Sequence, residues 1–175
     1  FLQQNPEFFI NVNVSAKQLE RPDFCRVVLE LLDKTEYPVK HLCLEITERC
    51  RSLPVSVINE RMAVLRGYGI KFAMDDFGTG SSSSAMALEM LIDEIKIDMS
   101  FIRKILVNKK NKAIVQSMVD FANAANIKSC LEGVENEALE DYLRTVGATW
   151  FQGYYYSKPV GADELEILLS NSWKK

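Results

Sequence analysis

Apolar and polar positions along this chain follow two alternating periods. Short apolar runs of strand length stand at 9–14, 42–46, 70–74, 94–98, 127–131 and 149–152, and between most of them apolar residues recur every three to four positions. Phe24, Val27, Val28, Leu31 and Leu32 fall on one face of a predicted helix that Asp23 caps and that runs to about Lys34. Pro54 opens a second helix, whose stripe of Val57, Ile58, Met62 and Leu65 continues until Gly67 and Gly69 stop it. Lys109 to Ala125 reads as a longer amphipathic helix through Ile114, Val115, Met118, Val119, Phe121 and Ala122. A helix over 136–146 ends at Gly147, and Ala162 to Ser170 forms the last one. The stretch DDFGTGSSSSAMALEMLIDEIKID, from Asp75 to Asp98, predicts a flexible loop, a short helix and then a strand.

Strands alternating with helices imply a mostly parallel sheet, and the expected fold is α/β, a (β/α) TIM-type barrel. Six strands are countable where a closed barrel has eight, and Phe1 lies only a few residues before the first. The expectation is therefore one domain over 1–175, incomplete at its N-terminus by about two strands. An open six-stranded α/β sheet is the structural alternative.

Each apolar run closes on a residue that binds a cation or moves a proton: Asn13 and Ser15, Glu45, Asp75 and Asp76, Lys96, Glu132, Gln152. Parallel strands separated by helices point their carboxyl ends the same way, so these residues converge on one rim. Four acids sharing a pocket repel one another and raise each other's pKa values unless cations sit among them, and bound divalent metal is the simplest remedy. Single residues have plainer readings. Asp75-Asp76 suits a turn with a helix cap, Asn13 suits a strand-end cap, Lys96 suits an interior lysine paired with an acid, and Tyr154, Tyr155 and Tyr156 suit rim packing.

Composition narrows the classes further. Of 175 residues 47% are apolar and 26% charged, enough for a real core, and a net charge of −3 gives no footprint for long nucleic acids. No apolar run reaches the length of a membrane helix, and FLQQNPEFF lacks the features of a secretory signal, so the expected location is cytoplasmic. Cys25, Cys43, Cys50 and Cys130 lack CxxC spacing and read as reduced structural thiols. His41 is the only histidine, which argues against a histidine-based triad or a His-rich metal site.

Six segments taken in order carry a resemblance: Asn11-Val-Asn-Val-Ser-Ala16, Leu44-Glu-Ile-Thr-Glu48, Ala73-Met-Asp-Asp-Phe-Gly-Thr-Gly80, Glu94-Ile-Lys-Ile-Asp98, Leu131-Glu-Gly-Val-Glu135 and Gln152-Gly-Tyr154. Together they resemble the EAL-domain family of cyclic di-GMP phosphodiesterases over nearly all of residues 9–160. The resemblance implies a two-metal hydrolase that opens cyclic di-GMP to linear pGpG. Asn13, Glu45 and Asp75 match the family's ligands for a first Mg²⁺ or Mn²⁺, and Asp75 and Asp76 match those for a second. Hard oxygen donors without thiolate or imidazole suit those ions. Glu132 matches the candidate general base, Lys96 the lysine beside the attacking water and phosphate, and Gln152 a glutamine that supports water at the metals. Glu48 and Glu135 match acids that hold the loop and the ligands in place. A homodimer, an upstream sensory or GGDEF-type domain and a membrane anchor in the parent protein are also compatible with the resemblance.

The chain departs from the family pattern in three places. The namesake Glu-Ala-Leu segment is absent, and its place lies before Phe1. Ser81-Ser-Ser-Ser84 and Ala85-Met-Ala-Leu-Glu89 stand where the family usually carries a tyrosine, a leucine and basic residues, and Leu131 replaces a small residue. These departures predict impaired turnover by this chain alone. They leave two alternatives: a non-catalytic cyclic di-GMP receptor or interaction module, and a barrel hydrolase for another phosphoester.

Overall fold

The computed structural model describes residues 8–47, 54–80 and 83–170. Its six strands are β1 (Ile10–Val14), β2 (Leu42–Thr47), β3 (Lys71–Phe77), β4 (Glu94–Ile97), β5 (Lys128–Glu132) and β6 (Trp150–Gln152). They lie side by side in chain order, each parallel to the next, which is the sheet of a curled (β/α) half-barrel. The helices are α1 (Ala16–Glu20), α2 (Phe24–Thr35), α3 (Val55–Gly67), α4 (Ser83–Glu89), α5 (Met99–Ile102), α6 (Lys109–Ala124), α7 (Glu137–Arg144) and α8 (Ala162–Ser170).

Alternate residues of a strand face opposite sides of the sheet. Leu44, Ile46, Phe72, Met74, Ile95, Ile97 and Leu131 form one side and pack into the apolar core with Ile58, Met62 and Leu65 of α3 and Val115, Val119 and Ala122 of α6. The other side carries Asn11, Asn13, Cys43, Glu45, Ala73, Asp75, Glu94, Lys96, Cys130, Glu132 and Gln152 by the same alternation. The sheet curls around that second set. The ring of Phe9, just before β1, meets Trp150 of β6 edge-on with centroids 5.9 Å apart.

Three helix expectations are corrected. Asp23 stands at the start of α2 but makes no capping hydrogen bond, because Arg21 and Arg26 take its carboxylate. Leu31 is 56% exposed and Ile114 41% exposed. The buried face of α2 instead follows Phe24, Val28 and Leu32 at four-residue spacing, and Leu31 lies beside that line. Ser15, expected to join Asn13 in the chemistry, opens the short α1: its hydroxyl accepts from the Gln18 amide while Gln18 Oε1 accepts from the Ser15 amide. His41 buries its ring in a 3₁₀ turn before β2, where Nδ1 meets the carbonyl of Phe8.

Candidate active site at the strand ends

Strands β2 to β5 each contribute one inward residue near their carboxyl ends. Glu45 and Lys96 are both 5% exposed at their side chains, Glu132 16% and Asp75 18%. Lys96 Nζ lies 2.8 Å from Glu45 Oε1, 2.8 Å from Glu132 Oε1 and 3.7 Å from Asp75 Oδ1. Burial opposes the Lys96 charge, but the hydrogen bonds and attraction of Glu132 and Glu45 outweigh it and hold the ammonium above its ordinary pKa. Burial pushes the Glu132 carboxyl up; Lys96 pulls it back, and Asp75 and Glu45 add repulsion. Three acids thus face one lysine.

The remaining expected residues surround this centre unevenly. Asn13 pairs with Glu45 in the β1–β2 register, yet its side chain is exposed on the edge strand. Gln152 pairs with Glu132 in the β5–β6 register, and its side chain is likewise exposed while its carbonyl accepts from the Val134 amide. Glu135 is exposed, and among the described residues no hydrogen bond or ion pair ties it to the acids. Glu48 lies outside the described residues, as do Ser81 and Ser82.

Asp76 adopts φ +56°, a left-handed conformation that few non-glycine residues take and that Asp tolerates better than most. The β3–β4 register shifts between Met74 and Phe77, so the extra residue turns consecutive aspartates out of strict alternation. The turn is secured by Thr79, whose amide and hydroxyl both donate to the Asp76 carbonyl. On the far side of the rim Gly153 lies so close to the Val134 backbone that a Cβ has no room. That contact folds the Gln152-Gly-Tyr154 turn over β5. Tyr155 and Tyr156 pack edge to face there, and Tyr156 donates to Glu140, the partner of Arg144. A cavity of about 580 Å³ opens between Arg144, Gln152, Gly153 and Tyr156.

Sequence reasoning missed two interior residues. Asn11 Nδ2 donates to Glu45 Oε1 at 2.5 Å. The signal was present, because Asn11 precedes Asn13 by two and so shares its face. Glu94 is the second: it is 5% exposed, one layer below Lys96, and lines a cavity of about 380 Å³ with Phe9, Lys71, Lys128 and Trp150. Burial pushes its carboxyl up to about 7, Lys96 and Lys71 attract the charged form, and Glu45 and Glu132 repel it.

A carboxyl whose pKa rises on folding binds its proton more tightly in the folded state, so stability falls as pH rises from about 4.5 to about 7. The shift corresponds to roughly 3 kcal/mol at ~1.4 kcal/mol per pH unit. Glu94→Gln should remove that slope and be the more stable protein at pH 8. Urea midpoints at pH 5 and pH 8 check this, and a wild-type midpoint that does not fall between them contradicts it.

A parallel α/β half-barrel with acids and one lysine gathered at the carboxyl ends of its strands has the layout of a TIM-type barrel with its functional residues on one rim. The EAL domain profile matches residues 1–159, and the chain belongs to the EAL domain family. A relative is the probable cyclic di-GMP phosphodiesterase PdeG of Escherichia coli K12, 35% identical over 167 residues, which cover 93% of this chain and 32% of that protein. The EAL enzyme Bd1971, in a form with cAMP and cyclic di-GMP bound, superposes with a TM-score of 0.89 at 33% identity over 96% of this chain and 46% of that one. Klebsiella pneumoniae BlrP1 in a manganese and cyclic di-GMP complex gives 0.80 at 27% identity, covering 90% and 41%. The chain spans about a fifth to a third of the length of the curated relatives it matches.

Among the described residues no group of three or more His, Cys, Asp and Glu side chains is spaced as a ready-made metal cage. The acids are drawn onto Lys96 instead. Their chemistry fits a hard divalent cation even so: every donor is oxygen, and the repulsion of Glu132 by Asp75 and Glu45 is the kind that a cation beside Lys96 would further offset. No helix among the described residues is long and apolar enough to cross a membrane.

Proposed function

We propose that the chain carries the active face of a metal-dependent phosphodiesterase that hydrolyses cyclic di-GMP to linear pGpG. The observation that supports this most directly is Lys96 held between Glu45 and Glu132 and beside Asp75, in a chain whose family relatives include named cyclic di-GMP phosphodiesterases. Asn13, Glu45, Asp75 and Asp76 would hold two divalent cations, Mg²⁺ or Mn²⁺. Bound there, the ions would activate water and neutralise phosphate charge. Glu132, raised by burial, is suited to take a proton from the water that attacks phosphorus. The water oxygen bonds to phosphorus, the bond to the 3′ oxygen breaks, and that oxygen takes a proton from solvent and leaves as an alcohol while Glu132 returns its proton to solvent. Lys96 orients Glu132 and offers positive charge to the phosphate. Gln152 sits in register with Glu132 and faces the rim, where it can hold water. Glu135, exposed beyond Glu132, and Glu48 would steady the loops that carry these ligands. A homodimer and an upstream sensory or GGDEF-type domain belong to the same proposal.

One observation favours a second reading, a receptor that binds cyclic di-GMP without cleaving it. Lys96 already compensates Glu45 and Glu132, so the fold balances much of their charge by itself. Chromatographic detection of products from cyclic di-GMP separates the two. The enzyme reading expects pGpG with Mn²⁺ or Mg²⁺ and none after chelation, and binding without any pGpG establishes the receptor.

A further inference from the structure

We propose that Asn11 is a positioning residue for Glu45, one that fixes which carboxylate oxygen faces a cation; this rests on the metal-dependent reading of the site. Two donors meet at Glu45 Oε1: Asn11 Nδ2 at 2.5 Å and Lys96 Nζ at 2.8 Å. They arrive from strands on opposite sides of β2, one from β1 and one from β4. A carboxylate held through one oxygen by two donors has little freedom of rotation, and its other oxygen is the one left for metal. Hydrogen-bonded partners of this kind set the orientation of ligating side chains.

Energetics argue that Asn11 does not serve stability. Its Oδ1 is buried with no hydrogen-bond partner among the described residues. An unpaired buried acceptor costs about as much as a hydrogen bond to a charged group gains. The balance for folding is near zero, whereas an aliphatic residue would suit an edge strand at least as well. Lys96 would remain on Glu45 after the amide is lost, so the carboxylate would stay compensated but gain freedom to turn.

Titration of the protein with Mn²⁺, followed by the electron paramagnetic resonance signal of the free ion, tests the proposal in Asn11→Leu, which keeps the shape, and in Asn11→Val. The expected result is roughly tenfold weaker Mn²⁺ binding in both variants, with metal-free melting temperatures no lower than wild type. Unchanged Mn²⁺ affinity overturns the proposal and leaves the metal reading standing. A weaker affinity accompanied by a fall of several degrees in both metal-free melting temperatures also overturns it, because the role is then structural. A wild-type protein that takes up no Mn²⁺ overturns the metal reading and this proposal with it.

Discussion

Lys96→Met should destabilise the metal-free protein by about 3–5 kcal/mol, the usual effect of removing one partner from a buried ion pair. The size follows from the surroundings: Lys96 is 4% exposed and is the cation that Glu45, Asp75 and Glu132 share. Methionine fills the same volume without charge, so cavity formation adds little and the loss reads the uncompensated acids. The variant should also respond to pH, growing more stable as the acids protonate at low pH. Divalent metal should restore part of the loss, since a ligand that binds only the folded state stabilises it by mass action. Mn²⁺ should therefore raise the melting temperature of Lys96→Met by more than that of wild type. Equal denaturation midpoints for the two metal-free proteins would show that the acids do not depend on this lysine.

Glu132→Gln is expected to lower kcat for cyclic di-GMP by 10²- to 10⁴-fold, the usual contribution of a positioned general base. The amide keeps the side chain's shape and a hydrogen-bonding oxygen toward Lys96, so substrate affinity should change far less than turnover. Because burial raises the Glu132 carboxyl, the neutral substitute should not destabilise the fold near neutral pH. The two variants thus move different readouts: Lys96→Met moves stability and turnover together, Glu132→Gln turnover alone. Steady-state product formation beside an equilibrium binding measurement distinguishes them. A variant within a factor of a few of wild-type kcat removes Glu132 from the role of base.

Much of this arrangement is legible in the chain because strand ends and period-two alternation are local properties. Glu45, Asp75, Lys96 and Glu132 each end an apolar run, and the barrel connection brings such ends together whatever the helices contain. Asn13 and Gln152 were equally legible as strand-end residues, but they sit on the edge strands, where no further strand encloses them among the described residues. The reach of their side chains depends on neighbours, which spacing does not encode. Asp76 is a different case: the bulge that gives it a left-handed backbone arises from pairing β3 against β4, and the dipeptide Asp75-Asp76 fits an ordinary turn equally well. Glu94 was hidden by its position beside Lys96, since a charged residue two places before another reads as part of the same motif. The helix face of α2 was misdrawn because Leu31 is as apolar as Leu32, and only packing separates them.

The division of the strands into an apolar side and a polar side has an evolutionary consequence. On β4, Ile95 and Ile97 belong to the core while Glu94 and Lys96 face the enclosed interior, and β2, β3 and β5 repeat the division. Substitutions therefore sort by parity. One set of alternate positions answers to packing alone, and the other answers to the charge balance around Lys96, so an exchange of acid or amide there leaves the helices docked only where that balance is kept. A lineage built on such strands can change or retire its chemistry without first redesigning its core.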